Sequence, residues 1–413
     1  MERLVKKECL NELMSSNKAL IVYSLTEEAE AIANACDSLG IKVSAFCDNE
    51  IRKSQKPYCG KEVIHTPELS KRFPEANFLI AHHQLDDCAE QLIELGYKGI
   101  YSPLELLKKY NIDKYKHRTS QSYMARKVEH SKKLNELYFD DTKTYLRSLD
   151  IVITEKCSMN CESCCNLMQY YVAAKNTDTE ILKAIKNMSE NVDHISEFRV
   201  IGGEPLMNKQ WASITNGIID QDSNRTVYVY TNGTICPKDE ILKTLKGKRV
   251  HFYITDYGDK LSKNIDRLIE SLEKFDLGYY RKPAGNWVDC SSIRKHNRSI
   301  PRLKQVFKEC CAKKLFTLLN GKLYTCPFIS NAANINAIPD NKANYVDLLS
   351  NDKNMKRKIE ILVKMKNFFP GCDFCDGRPH DPSNALEYSG KGLIKAGKQM
   401  PTMKSRIPFE KFD

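Results

Sequence analysis

No stretch of this sequence comes near the roughly 18 uninterrupted apolar residues that a membrane-spanning helix needs, and the opening MERLVKKECLNELMSS has no apolar run of the kind that marks a secretory signal. A cytoplasmic location without membrane contact is the resulting expectation. Internal repeats and low-complexity tracts are missing as well. With 41% hydrophobic and 28% charged residues, the composition is that of an ordinary globular protein, which excludes collagen-like and disordered classes. Lys and Arg outnumber Asp and Glu by 64 to 53, a formal charge of +11. No helix-turn-helix, zinc-finger or RNP pattern accompanies that excess, so nucleic acid is not an expected partner. What the sequence does have is 413 residues, enough for about two or three domains, and sixteen cysteines. In a reducing compartment those cysteines are not a disulfide framework; they divide between metal ligands and small buried hydrophobes.

From Ala19 to about Tyr110 short β-rich runs (ALIVYS, KVSAFCD, NFLIAHH, KGIYSP) alternate with helical patterns, the signature of a parallel sheet covered by helices. A dinucleotide would require a glycine-rich turn after the first strand. That turn is Ser24-Leu25-Thr26-Glu27-Glu28, with no glycine and two carboxylates, so an NAD site is excluded and Asp48 reads as a loop carboxylate rather than a ribose ligand. Through the run of its strands and the GKEVIHTPEL segment, the block resembles truncated Rossmann-like domains attached to enzymes of bacterial surface-sugar pathways. The boundaries expected are 1–115 for this domain and 116–147 for a basic linker with an amphipathic helix. Cys9, Cys36, Cys47, Cys59 and Cys88 lack metal spacing and read as core or surface thiols.

The alternation resumes at Leu149 with LDIVIT, EFRVIGG, RTVYVYTNG, RVHFYITD and LGYYRKP, each followed by a helical pattern or loop, which suggests a closed or partly closed β/α barrel. In such barrels the chemistry gathers at the carboxyl ends of the strands. Directly after the first of them stand Cys157, Cys161 and Cys164 in a CxxxCxxC array, and after the second stand Gly202, Gly203, Glu204 and Pro205. Three thiolates are one short of a full iron–sulfur or zinc ligand set and leave one position open. A zinc set with a distant fourth ligand, or three buried thiols, would be the alternative readings. Cys165 should point away from the trio.

A CxxxCxxC loop after strand one with a GGE segment after strand two resembles the radical SAM superfamily. The resemblance implies a partial (β/α)6 TIM-like barrel over 148–300 and a 4Fe–4S cluster on Cys157, Cys161 and Cys164 that binds S-adenosylmethionine and yields a 5′-deoxyadenosyl radical. It also implies contacts from Gly202, Gly203 and Glu204 to the methionyl amine, with Thr231 and Asn232 lining the same cofactor. One departure from the family pattern is Ser163, where an aromatic residue is usual.

Beyond the barrel, Cys310 and Cys311 precede a hairpin pattern turning at Asn320-Gly321; Cys326 ends its return strand, and Cys372 and Cys375 form a CxxC in a glycine-rich loop. Together they make a four-thiolate set over 301–385 that suits zinc or iron–sulfur alike; either Cys310 or Cys311 is its first ligand. The arrangement is similar to the twitch domain, the shortened relative of the SPASM domain, and so implies one auxiliary 4Fe–4S cluster; residues 386–413 read as a tail. The overall expectation is thus an α/β chain: a Rossmann-like parallel sheet, a partial barrel and a small C-terminal cluster domain.

An auxiliary cluster near the substrate can accept an electron, giving a net two-electron oxidation that needs a base. Asp256 and Asp289 are the candidates for it, with Thr255, Tyr257, Tyr280 and Trp287 around them and Arg281 to hold an anionic group. Epimerisation would need a hydrogen donor, for which Cys236 and Cys290 lie near strand ends. The enzyme is therefore expected to oxidise or epimerise a carbohydrate-like or nucleotide-linked small molecule, with an acidic flavodoxin or ferredoxin as electron donor suited to the positive charge. A peptide-modifying maturase is the rival, disfavoured because the N-terminal block reads as βαβ rather than a winged helix. A zinc-stabilised binding module is the rival outside enzymology.

Overall fold

The computed structural model describes residues 3–115, 119–177 and 180–400, apart from the side chain of Arg52. It divides the chain into two compact units, Met1–Lys143 and Thr144–Asp413.

In the first unit five short strands form one parallel sheet: β1 (Ala19–Tyr23), β2 (Ala45–Asp48), β3 (Val63–His65), β4 (Ala76–Ile80) and β5 (Gly99–Tyr101), in the order β3-β2-β1-β4-β5. This is the doubly wound order with five strands, reversing between β1 and β4. The strands read as continuous apolar runs because both faces are covered: Ile21, Phe78 and Ile100 pack into one core cluster and Val22, Phe46 and Leu79 into the other. At the turn after β1, Ser24 takes φ 77°. Asp48 is consumed by its own loop, accepting from the Leu25 N–H at 2.7 Å, the Glu50 N–H at 2.9 Å and the Lys53 Nζ at 2.9 Å. Cys9, Cys36, Cys47 and Cys88 are buried and Cys59 is half-buried. Burial pushes the Cys36 and Cys47 thiols up to about 12.

The amphipathic helix expected within 116–147 is present, and it packs into the core of the first unit. Residues 116–118 lie outside the described residues, but Gln121–Tyr138 is an eighteen-residue helix, capped by the Ser120 hydroxyl. Its Met124 and Val128 join Leu106 and Leu107 in the core of the first unit, so the compact unit ends after Lys143 rather than near 115. Nine of the eighteen residues of this helix are buried.

The second unit is built on an eight-stranded sheet. Its parallel strands are β6 (Tyr145–Val152), β7 (His194–Ile201), β8 (Val227–Thr231), β9 (Val250–Asp256) and β10 (Gly278–Pro283). A small pair is made by β11 (Asn286–Val288) and β15 (Leu393–Lys395). On the other side of β6, β12 (Thr317–Leu319) adds a sixth parallel strand, followed by β13 (Lys322–Tyr324) and β14 (Tyr345–Asp347) in antiparallel order. The order β10-β9-β8-β7-β6-β12-β13-β14 leaves the sheet open, as a partial barrel. The β12–β13 hairpin turns at Asn320 (φ 48°) and Gly321 (φ 75°), the left-handed pair that a two-residue turn demands.

Alternation along β8 and β9 sorts the two faces. Val227, Val229, Val250, Phe252 and Ile254 enter the core that the helices cover, with the Trp211 ring of helix Trp211–Gln221 edge-on to Phe252 at 6.0 Å. The opposite face is polar and aromatic. Arg199 lies 5.4 Å over the Tyr230 ring, Tyr230 stacks on Tyr253 at 4.5 Å, and Tyr253 meets Tyr280 edge-on at 5.3 Å. Arg199 also donates to Glu197 at 2.8 Å and faces Asp150 at 3.7 Å. No helix among the described residues is long and apolar enough to cross a membrane.

Candidate functional site

The loop leaving β6 is held against the loop leaving β7 by backbone bonds: Gly203 N–H to Thr154 O at 3.0 Å and Glu204 N–H to Lys156 O at 2.8 Å. That approach explains the glycine pair. A Cβ on Gly202 would stand 2.4 Å from Thr154 O, and one on Gly203 would stand 2.3 Å from Lys156 O and 2.7 Å from Cys157 Cβ. Only bare backbone fits there.

Glu204 is fully buried. Its carboxylate accepts from the Thr231 hydroxyl at 2.9 Å, the Asn232 N–H at 2.8 Å and the Leu206 N–H at 3.2 Å. Burial pushes its pKa up to about 7 in spite of those bonds. Asn232 turns its Nδ2 toward Ser158 Oγ at 3.1 Å and lies 3.9 Å from Cys157 Sγ. The structure thus brings Gly202, Gly203, Glu204, Thr231, Asn232 and the cysteine loop to one place at the carboxyl ends of β6, β7 and β8.

Cys157, Cys161 and Cys164 are free thiols. Burial, then the sulfurs of Cys165, Cys161 and Cys157, push the Cys164 thiol well up, and burial raises Cys161. Thiols raised in this way become thiolates together only when a cation takes the charge. Among the described residues no three His, Cys, Asp or Glu side chains stand close enough to hold a metal as they are, so the trio is a neighbourhood on one short loop rather than a closed ligand set. Tyr257, after β9, is half-buried, and its burial, followed by the charges of the Cys161, Cys164, Cys165 and Cys157 sulfurs, pushes its hydroxyl up.

In the C-terminal region, Cys326 is pushed up to about 12 by burial first and by Cys310 among its neighbours; Cys372 is raised by burial, then by Cys326, with Cys310 further down. Burial also raises Cys375, with Cys290, Cys310 and Cys326 behind it. Cys311 instead is exposed, its N–H bound to Arg378 O at 2.7 Å, and its sulfur faces Arg378, Cys310 and Cys165. Cys310, rather than Cys311, is thus among the sulfurs that act on Cys326, Cys372 and Cys375, though no three of these side chains stand close enough to hold a metal as they are. Backbone N–H groups of Phe369 and Gly377 point at Cys372 Sγ (3.4 Å) and Cys375 Sγ (3.3 Å). Arg298 clamps the CxxC loop by donating to the carbonyls of Cys372, Cys375 and Asp376 at 3.2, 2.8 and 3.0 Å. Buried Ser291 links this region to the cysteine loop after β6, since it receives Gln169 Nε2 at 2.8 Å on Oγ and Tyr170 Oη at 3.1 Å on its carbonyl, and meets Ser163 Oγ at 3.3 Å.

The substrate-side expectations fare differently. Arg281 is exposed and neutralised by Asp256 at 2.8 Å and Asp266 at 3.1 Å, so its expected role as an anion holder does not match its surroundings. Asp256 accepts from Arg281 and from the Gly258 N–H, which hold its carboxyl below the usual range despite partial burial; that makes it a poor base. Asp289 is half-buried, its N–H bound to Gly392 O at 2.9 Å. Cys290 is buried and pushed up to about 12, chiefly by burial. Cys236 packs near Ser271 at 3.8 Å, on helix Ile265–Lys274. Residues that no motif pointed to are Asp150, Arg199, Tyr230 and Tyr253 on the inner face of the sheet, and Gln399. Burial pushes Asp150 up to about 6, and its Oδ1 has no hydrogen-bond partner.

The radical SAM superfamily model matches residues 151–275. No curated protein matches the chain. Among solved structures, anSMEcpe with bound AdoMet is similar at 13% identity and a TM-score of 0.38, over 60% of this chain and 91% of that one. BtrN in complex with AdoMet and 2-DOIA is similar at 13% identity and a TM-score of 0.35, over 56% of this chain and 94% of that one. Streptococcus suis SuiB bound to precursor peptide SuiA is similar at 16% identity and a TM-score of 0.26, over 47% and 44%. Likenesses at this level say nothing about the substrate of this chain.

Proposed function

We propose, from the premise that residues 151–275 of this chain are a radical SAM domain, that the protein is an enzyme that oxidises or epimerises a carbohydrate-like or nucleotide-linked small molecule in the cytoplasm. The family implies a 4Fe–4S cluster and S-adenosylmethionine. The observation that carries the assignment of their site is the buried junction of Glu204, Thr231, Asn232 and Cys157, which joins three strand ends around the cysteine loop. Cys157, Cys161 and Cys164 would hold the cluster, and Glu204 would accept the methionyl ammonium, a charge-assisted bond in a dry site. When bound, the pair supplies a carbon radical that takes a hydrogen atom from an unactivated C–H bond.

The chain's own residues then decide the outcome. Tyr230, Tyr253 and Tyr280 offer aromatic faces, and Arg199, Glu197 and Asp150 offer hydrogen-bonding edges. That mixture suits a hydroxylated ring, which has apolar C–H faces and polar rims. Asp150 replaces Asp256 as the proton acceptor for oxidation, because its pKa is pushed up towards neutrality by burial and no guanidinium hydrogen-bonds it. Cys310, Cys326, Cys372 and Cys375 would hold an auxiliary 4Fe–4S cluster that receives the electron, Arg298 bracing its loop. Cys290, which keeps its hydrogen as a thiol, is the donor if the outcome is epimerisation. The five-stranded parallel sheet at the N-terminus favours this reading over a peptide maturase. Flavodoxin or ferredoxin would deliver the first electron.

The test is anaerobic reconstitution followed by dithionite and S-adenosylmethionine. 5′-Deoxyadenosine should form; its absence from a protein carrying its full iron, or stoichiometric zinc uptake without iron, refutes the proposal.

A further inference from the structure

The last described residues are not a tail. β15 pairs with β11 in the register Asn286↔Lys395, Trp287↔Ile394 and Val288↔Leu393, so the segment starts at the extension of edge strand β10. It then crosses Tyr257. Gly397 takes φ +74°, and a Cβ on it would stand 2.4 Å from Tyr257 Cδ1. On the far side it reaches the cysteine loop and pairs with the residues on either side of Cys161. The Glu162 N–H donates to Lys398 O at 2.7 Å, the Met400 N–H donates to Asn160 O at 2.9 Å, and Gln399 stands opposite Cys161 as an antiparallel bridge. Lys398 and Glu162 add an ion pair at 2.8 Å.

The side chain of Gln399 completes the contact. Its Oε1 accepts the Asn160 N–H at 2.8 Å, and its Nε2 donates to Gly397 O at 2.6 Å and to Cys161 Sγ at 3.2 Å. This orientation is forced. An amide N–H can only donate and a carbonyl can only accept, so the oxygen must face Asn160 and the nitrogen must face Gly397 and the sulfur. Cys161 is 8% exposed behind this cover.

We infer that residues 392–400 form a strap that is a wall of the metal site, and that Gln399 is a positioning residue which fixes Cys161 and donates a hydrogen bond to its sulfur. The inference rests on the radical SAM reading of that loop. Its physical content is that an N–H donor on a ligating sulfur stabilises the more negative, reduced state of a cluster, so removing the donor lowers the reduction potential. It also fixes the middle of the three cysteines against a backbone that arrives from the far end of the chain.

The experiment compares the full-length wild type with Gln399→Leu and Gln399→Glu, each reconstituted anaerobically and titrated potentiometrically by electron paramagnetic resonance. The relevant cluster is the one whose signal changes on adding S-adenosylmethionine. Leucine removes the donor. Glutamate also removes it and keeps an oxygen for the Asn160 N–H, but its second oxygen faces Gly397 O in place of a donor and sets a negative charge beside the sulfur. Equal iron content with midpoint potentials falling in the order Gln399, then leucine, then glutamate is the expected result. A role confined to holding the fold would leave the midpoint of the cluster-loaded leucine variant at the wild-type value, and that outcome overturns the inference; so does an unchanged midpoint in the glutamate variant, whose charge must lower it if the side chain lies beside this cluster. If the wild type itself shows no signal that responds to S-adenosylmethionine, the radical SAM reading falls, and this inference with it.

Discussion

The buried carboxyl of Glu204 makes the stability of the metal-free protein depend on pH in a direction opposite to that of most acids. Burial has raised its pKa from the ordinary 4.5 to about 7. Between those two values the folded chain holds a proton that the unfolded chain has released, so the folded state binds more protons and stability falls as pH rises. The contribution is complete below pH 4.5 and is lost through about pH 7. At about 1.4 kcal/mol for each pH unit, the interval corresponds to about 3 kcal/mol. The carboxamide introduced by Glu204→Gln cannot titrate. In that variant the amide oxygen can take the place of Oε2 and accept the Asn232 N–H, while the NH2 donates to the Thr231 hydroxyl; the Leu206 N–H loses its acceptor, a cost of about 1 kcal/mol that is the same at every pH. Both tryptophans, Trp211 and Trp287, lie in the second unit, so their fluorescence reports the unfolding of that unit alone. Urea unfolding of the iron-free wild type at pH 5 and pH 8 should show a loss about 3 kcal/mol greater than in Glu204→Gln. Asp150, raised in the same direction, is present in both proteins and cancels. Parallel pH dependences in the two proteins would refute the account of Glu204.

The same carboxyl must be ionised to receive an ammonium group, so S-adenosylmethionine binding to the reconstituted protein should tighten between pH 6 and pH 8 in the wild type and stay flat in Glu204→Gln, as measured by titration calorimetry. Gly203→Ala places a methyl group 2.3 Å from Lys156 O and should push the cysteine loop out of place; iron analysis should show a loss of about four irons per chain. Cys310→Ala should also lose about four irons, whereas Cys311→Ala should lose none, because only Cys310 neighbours Cys326, Cys372 and Cys375. The reverse pattern would move the auxiliary ligand to Cys311.

How much of this was legible in the sequence depended on how local each signal was. The CxxxCxxC loop, the GGE segment and the Asn320-Gly321 turn are short patterns whose geometry is decided within a few residues, and each stands where its pattern placed it. The parallel sheet of the first unit likewise follows from apolar runs spaced by helices. Non-local pairings were not legible. β12 reads as one arm of a hairpin, and nothing in LFTLL says that its other edge meets β6. Gln399 is 238 residues from Cys161, and a lone glutamine in a polar tail carries no pattern. The polar face of β8 was in view as the alternation Val227-Tyr228-Val229-Tyr230, but the tyrosines gain meaning only beside Arg199 and Tyr253. Arg281 and Asp256 looked available because sequence shows charges but not their partners; in the fold they neutralise one another.

The central claim is that three cysteines hold a cluster with one corner left for S-adenosylmethionine. Electron paramagnetic resonance of the dithionite-reduced protein, recorded with and without S-adenosylmethionine, tests it most directly when the wild type is set beside Cys157→Ala/Cys161→Ala/Cys164→Ala. The account predicts a wild-type signal that changes on adding S-adenosylmethionine and a triple variant with no responsive signal. A triple variant whose signal still responds to S-adenosylmethionine would contradict it.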